Sequence, residues 1–336
     1  MSPLLRDLAT RAALVLAVVI VYHNALWASF FEEDYGWLVG SWSFHPHVYR
    51  PMIDMYFAVM TPLVRGSPIL FHEASIVLHI VNVLVVFALA QRVVGVGPYP
   101  FIAALFFAVQ PLDIDAIAWV GALAEPVAAL FGCLSLLWFL RWREDGQPRW
   151  RTLSTVAFIL ALLTHESSIV FLAVLFLAEW LLVRRNSRVP FAACWMLLAL
   201  VPLVSFNGGD TSRYLYQPAI GFSLLLAEAV VALDRELAHR MATPRRGIAV
   251  GALAAIIAIP FAVFAAANVR DFTERSQVYS DYLGQFRAIH GTVPSNTMVI
   301  ADPPTRLPYR FINAAVQWDY RDPTIRIAPY DSDDVR

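Results

Sequence analysis

Four polar connections in this chain place ionisable side chains against long apolar runs. The first reads Phe30-Phe31-Glu32-Glu33-Asp34-Tyr35-Gly36-Trp37 and continues to His45-Pro46-His47-Val48-Tyr49-Arg50-Pro51. The second carries Asp113, Asp115 and Glu125, the third His165 and Glu166, and the fourth Arg213. A carboxylate pressed among aromatic rings is partly desolvated, and its pKa rises toward the range of a working general base. The adjacent Glu33 and Asp34 also repel, which raises the proton affinity of one of them. The plain alternative is a belt of membrane-interface aromatics beside solvated acids. Asp113 and Asp115 suit either an acceptor-holding role or caps for the helix that follows. His45-x-His47 is too sparse a pattern for a metal site, so no metal or cofactor is expected.

The elements that must position these groups are membrane helices. Of 336 residues, 59% are hydrophobic and only 15% charged, and the mean hydropathy is +0.59. Soluble domains run nearer 45–50% apolar and about 25% charged. A net charge of −1 leaves no electrostatic footprint for nucleic acid. All 25 basic residues are arginine. The two cysteines, Cys133 and Cys194, lie in apolar runs, which argues against a disulfide scaffold. The composition fits an all-α polytopic membrane protein.

Apolar runs fall at about 12–30, 70–91, 100–111, 123–140, 152–163, 169–183, 189–206, 214–232 and 247–267. If each crosses once, fourteen arginines gather on one side, among them Arg6, Arg92, Arg143, Arg184 and Arg246. The short loops of the other side hold only Arg50, Arg65 and Arg213. The positive-inside rule then places the N-terminus in the cytoplasm and all four acid-bearing connections outside. Arginine at both ends of 152–183 predicts a hairpin turning at His165-Glu166, and 100–140 reads as a hairpin turning between Pro111 and Glu125. Several runs are shorter than the ~20 residues of a lone span, as expected for helices ending in a protein-lined cavity. The segment 52–64 reads as an interfacial helix in the first external loop. The first run lacks a small-x-small cleavage pattern and reads as a retained helix. Two parts follow: a transmembrane domain over 1–268 and a small extracytoplasmic segment over 269–336. The latter has an expected helix at 271–289, a strand at Thr297–Ala301 and a loop at Asp302-Pro303-Pro304.

Read in order, the polar motifs carry a family likeness. They are the acidic pair with Tyr35, Tyr49-Arg50-Pro51, Phe71-His72, Leu78-His79 with Asn82, Gln110-Pro111-Leu112, Asp115 through Val120, His165-Glu166-Ser167, and Arg213-Tyr214-Leu215-Tyr216. Over about residues 25–225 this resembles the membrane part of the transmembrane and TPR-containing O-mannosyltransferases and their bacterial relatives, within the GT-C glycosyltransferases. The resemblance implies a GT-C-like bundle of about nine transmembrane helices in the cell (inner) membrane. It implies transfer of a sugar from a polyprenyl-phosphate donor to a glycan, lipid or protein acceptor on the extracytoplasmic face. The catalytic carboxylate maps to Glu33-Asp34, with Asp34 first as general base. Arg50, Arg213 and His165 become the donor-phosphate ligands, arginine offering a forked, always-charged contact. Lipid-headgroup binding for Arg50 and helix-end anchoring for Arg213 are the alternatives. Tyr35, Tyr49, Asp113, Asp115, Glu125 and Glu166 are the acceptor or cavity candidates. His72 and His79 share one helix face and read as packing groups. The chain departs from the family at Gln110, Ala122 and His165, where the family often has His, Arg and Lys, and a short tail stands where the family carries its TPR array. Those departures motivate a rival reading, a non-catalytic lipid-handling protein such as a flippase or a degenerate glycosyltransferase subunit.

Overall fold

The computed structural model describes residues 2–40, 49–205, 212–301 and 307–329. His45, His47 and the expected loop at 302–304 lie outside the described residues. Each of the nine apolar runs falls on a helix. The N-terminal helix α1 (Pro3–Tyr22) starts at Ser2, whose hydroxyl accepts the Leu5 N–H. A short α2 (Glu33–Leu38) and α3 (Pro51–Leu63) form the first loop, α3 falling on the segment 52–64 expected to be helical. Then come α4 (Pro68–Val93), α5 (Tyr99–Ala108), the single turn α6 (Asp115–Ala118) and α7 (Ala124–Asp145). Gly146 ends α7 in the left-handed conformation and Pro148 opens α8 (Pro148–Leu162), a glycine-stop, proline-start pairing that makes a tight hairpin. Helix α9 (Val170–Leu177) continues as a π-helical turn, Ala178–Val183, and is followed by α10 (Arg188–Leu200) and α11 (Tyr216–Ala238).

Among the described residues, five helical segments are long and apolar enough to cross a membrane: Pro68–Val93, Val120–Asp145, Glu166–Val183, Ser212–Ala238 and Thr243–His290. The expected count of nine is therefore larger than length and composition give. Helix α8 has only 15 residues, α5 only 10, and α1 carries Arg6, Asp7 and Arg11. The expected reversal at His165 is present. Glu125 near the start of α7 meets Ser167, and Arg143 near its end meets Glu179, so 166–183 runs beside α7 in the same direction and α8 makes the return.

The helix expected at 271–289 is the second half of α12 (Thr243–His290), which runs unbroken through position 268. No glycine or proline interrupts Asn268–Leu283, and the pairs Arg270–Glu274 and Asp271–Arg275 support the exposed face at i,i+4 spacing. Beyond it, β1 (Met298–Ile300) pairs in parallel with β2 (Arg326–Ala328), with α13 (Tyr309–Tyr320) between them. This C-terminal unit does not form a core of its own. Tyr279, Leu283, Phe286, Phe311 and Val316 belong to one buried cluster with Tyr35, Trp37, Ile53, Phe57 and Phe71. The first-loop helices and the C-terminal unit therefore share their apolar interior. A second, larger cluster fills the bundle of α1, α4, α5, α7, α10 and α11.

Candidate functional site

Asp34 sits in the first turn of α2 with no side-chain exposure. Its Oδ2 accepts the Phe31 N–H at 2.8 Å, and its Oδ1 accepts the Gly121 N–H from across the bundle. A Cβ at Gly121 would lie 2.9 Å from Asp34 Oδ1, so any larger residue there would have to displace the carboxylate. Trp119 holds the same corner by donating its indole N–H to the Phe31 carbonyl at 3.1 Å. Burial pushes the Asp34 carboxyl well above the usual carboxylate range, with the Glu33 charge adding to it and the two backbone donors opposing it.

Glu33 turns the other way. Its Oε2 accepts from Arg213 Nη1 at 3.0 Å, in an ion pair that is part-exposed. The Arg213 guanidinium lies 4.9 Å from the Trp119 ring centroid and 5.1 Å from that of Tyr214. Stacked contact on both rings fixes the plane of the fork.

Tyr214 connects this pair to a second polar group, its ring 6.1 Å from that of His165. The Ser167 N–H donates to His165 Nδ1 at 3.1 Å, which fixes the ring proton of the neutral form on Nε2. That nitrogen faces Glu125 Oε1 at 3.4 Å. Burial lowers the His165 pKa, against the opposing charge of Glu125. Glu125 is held in turn by Gln217 Nε2 at 2.8 Å and by the Ser167 hydroxyl at 3.4 Å. Arg50 closes the group with two bonds to Glu166, from Nη2 at 2.7 Å and Nε at 3.2 Å. Arg50 and Arg213 both lie close enough to act on the His165 charge. Arg50, the buried His165 and Arg213, from the first loop, the α8–α9 turn and the entry to α11, thus form one polar chain through Glu166 and Tyr214 that ends on Glu33.

The remaining candidates lie elsewhere. Tyr49 is 79% exposed. Tyr35 is buried in the interface with the C-terminal unit, its ring 5.6 Å from Tyr279. Asp115 accepts from the Ser212 hydroxyl. Asp113 is fully buried and, among the described residues, neither of its carboxylate oxygens has a hydrogen-bond partner. Neither acid caps α6, so the capping alternative does not hold there. Burial raises the Asp113 pKa well above the ordinary value. His79 bonds the Tyr216 hydroxyl at 2.8 Å and joins α4 to α11, as a packing group would. Among the described residues no group of three or more His, Cys, Asp or Glu side chains is placed to hold a metal ion.

Sequence reasoning missed Gln217, Ser167 and Gly121 as members of the site. The available signal was weak: a glutamine three residues into an apolar run, a serine after a charged pair, and a glycine two residues after a tryptophan.

Comparison with known proteins agrees with the likeness drawn from motif order. The chain is 27% identical over 121 residues to mouse protein O-mannosyl-transferase TMTC1, a match covering 36% of this chain and 13% of that protein. It is 26% identical over 115 residues to human protein O-mannosyl-transferase TMTC2, covering 34% and 14%. The alignments thus span about one seventh of the relatives or less. No family model and no solved structure matches the chain.

Proposed function

We propose that this chain is a membrane glycosyltransferase that moves a sugar from a polyprenyl-phosphate donor to an acceptor on the extracytoplasmic face, with the N-terminus in the cytoplasm. One observation carries the reading: Arg50, His165 and Arg213 lie along one polar chain that leads to Glu33 beside the buried Asp34, on a chain similar to protein O-mannosyl-transferases. The acceptor oxygen attacks the anomeric carbon, the bond from that carbon to the phosphate oxygen breaks, and the acceptor proton passes to a carboxylate. The transition state resembles an oxocarbenium ion, and negative charge grows on the leaving phosphate.

Asp34 suits the base because its desolvated site raises its proton affinity, whereas Glu33 is already matched by Arg213. Each Asp34 oxygen accepts one backbone N–H, the Trp119 indole also acts on the carboxyl, and an ionised carboxylate offers about four acceptor sites in all. Among the described residues, both arginines also keep free donors: Arg50 engages Glu166 through Nε and Nη2, leaving Nη1, and Arg213 engages Glu33 and Tyr214 through Nη1 and Nη2, leaving Nε. A phosphate can therefore bind without dismantling the carboxylate pairs.

The decisive experiment is Asp34→Asn, assayed for transfer of radiolabelled mannose from polyprenyl-phosphate-mannose in membranes. The expected loss is at least a hundredfold, the scale of general-base catalysis, with the protein still folded. Full activity removes Asp34 as the base. The complete burial of Asp34 and its two backbone donors favour a second reading, a lipid-handling protein in which Asp34 only pins α2 to the bundle. That reading expects wild-type protein to bind the donor lipid with no turnover.

A further inference from the structure

The connection between α3 and α4 faces the end of α13 across a cavity of about 680 Å³. It shares no lining residue with the Glu33-Asp34 site. Its walls include Arg65, Gln317, Trp318, Asp319, Arg321 and Asp322. The volume is that of a small-molecule site.

The charges in this cavity are unevenly engaged. Asp319 takes two bonds from Arg287. Asp322 accepts from the Ser295 hydroxyl at 2.6 Å and from the Thr324 N–H and hydroxyl at 2.9 and 2.6 Å. Both acids are thereby taken up. Among the described residues, the Arg65 and Arg321 guanidinium groups make no ion pair and no hydrogen bond. Both arginines stand on left-handed backbone, φ 52° and 54°, which non-glycine residues adopt only at a cost.

Between them lies Trp318. Its six-membered ring rests on Gly66, where a Cβ would fall 2.4 Å from Trp318 Cζ2. The ring is thus seated on the α3–α4 backbone and is half-buried. Gln317 gives its amide N–H groups to the Pro323 and Ile325 carbonyls at 3.1 and 3.0 Å, which leaves Oε1 to accept.

We infer that this cavity binds an anionic saccharide. The C–H face of a sugar ring stacks on the Trp318 indole, its carboxylate or phosphate takes the free donors of Arg65 and Arg321, and a hydroxyl donates to Gln317 Oε1. A lipid headgroup phosphate would satisfy the arginines but would give Trp318 no ring to stack on.

The test uses the full chain in detergent micelles and the anisotropy of two fluorescein-labelled probes, tri-galacturonate and its neutral counterpart galactotriose. The charged trimer is expected to bind at least tenfold tighter. Arg65→Asn and Arg321→Asn each remove that preference by tenfold or more and keep the thermal midpoint, since asparagine tolerates positive φ. Trp318→Leu weakens both sugars. Asp34→Asn leaves trimer binding unchanged, so failure of this site and failure of the transferase reading are separately visible. Wild-type protein that does not distinguish the two trimers overturns the inference, as does unchanged binding in both arginine variants. Complete displacement of the charged trimer by phosphatidylglycerol nanodiscs at equal phosphate concentration assigns the cavity to a headgroup and also overturns it.

Discussion

The two ends of the helical bundle handle charge in opposite ways. At one end Asp34, Glu125 and His165 are buried, and each meets a residue distant in sequence. At the other end, Arg143 and Arg184 share Glu179, Arg92 meets Glu144 and Arg246 meets Asp234, mostly in exposed or half-exposed pairs. Exposed pairs contribute little to stability, about 0–1 kcal/mol each. Buried charged groups cost stability unless they are paired and hydrogen-bonded. Asp34, Glu125 and His165 persist at the first end because each is hydrogen-bonded or paired and, on the proposed reading, because they do chemistry.

The contrast is sharpest at Asp34 and should break there first. Its folded pKa is raised, so the stability it contributes is fully present below the ordinary value of 3.8 and is lost as pH rises through the elevated folded value. Thermal stability of the wild type relative to Asp34→Asn should fall with rising pH across that window. Transfer activity should climb over the same window, as the base is freed of its proton. A pH-independent difference between the two proteins would place Asp34 outside the titrating site.

Gly121→Ala should be next in size. The new Cβ would sit 2.9 Å from Asp34 Oδ1 and 3.3 Å from Trp119 Nε1. Overpacking of this kind costs about 1–3 kcal/mol, or roughly 2–8 °C in Tm, and it should lower transfer as well. Differential scanning fluorimetry in detergent reads the first effect directly.

Arg213→Lys keeps the charge and loses the fork that lies against Trp119 and Tyr214 while bonding Glu33. A drop of about tenfold in transfer, read mainly in donor KM, is expected for a phosphate contact of this type. The same KM in mutant and wild type would show that Arg213 serves only Glu33.

The smallest effect belongs to the other end. Arg143→Gln removes one of two partners of Glu179. Stability should change by less than about 1 kcal/mol, and transfer not at all. A large loss of activity there would erase the distinction between the ends.

Much of this arrangement was legible in the residues themselves. The apolar runs gave every long helix, because a run of that length buries its backbone polar groups only as helix. The uneven arginines separated the two ends, and the turn at His165 followed from arginine on both flanks. The helix at 271–289 was visible, yet its fusion with the preceding run was not, because the apolar run ends at about 267 and the change to polar residues reads as the end of a membrane helix. The shared core of the C-terminal unit and the first loop was hidden for the same reason. Phe311 and Val316 carry no signal that names their partners, and Tyr35 and Phe57 lie more than 250 residues earlier.

The sequence by itself determined the class of molecule, the helices and the kinds of groups available at each end, since hydrophobicity and charge act locally along the chain. The tertiary structure alone decided which of those groups meet. Asp34 finds the Gly121 N–H 87 residues away, Glu33 finds Arg213 180 residues away, and Glu125 finds Gln217 92 residues away. Those pairings depend on helix packing that leaves no room for a Cβ at Gly121. Close packing across distant segments is a property of the folded interior, and no local pattern encodes it.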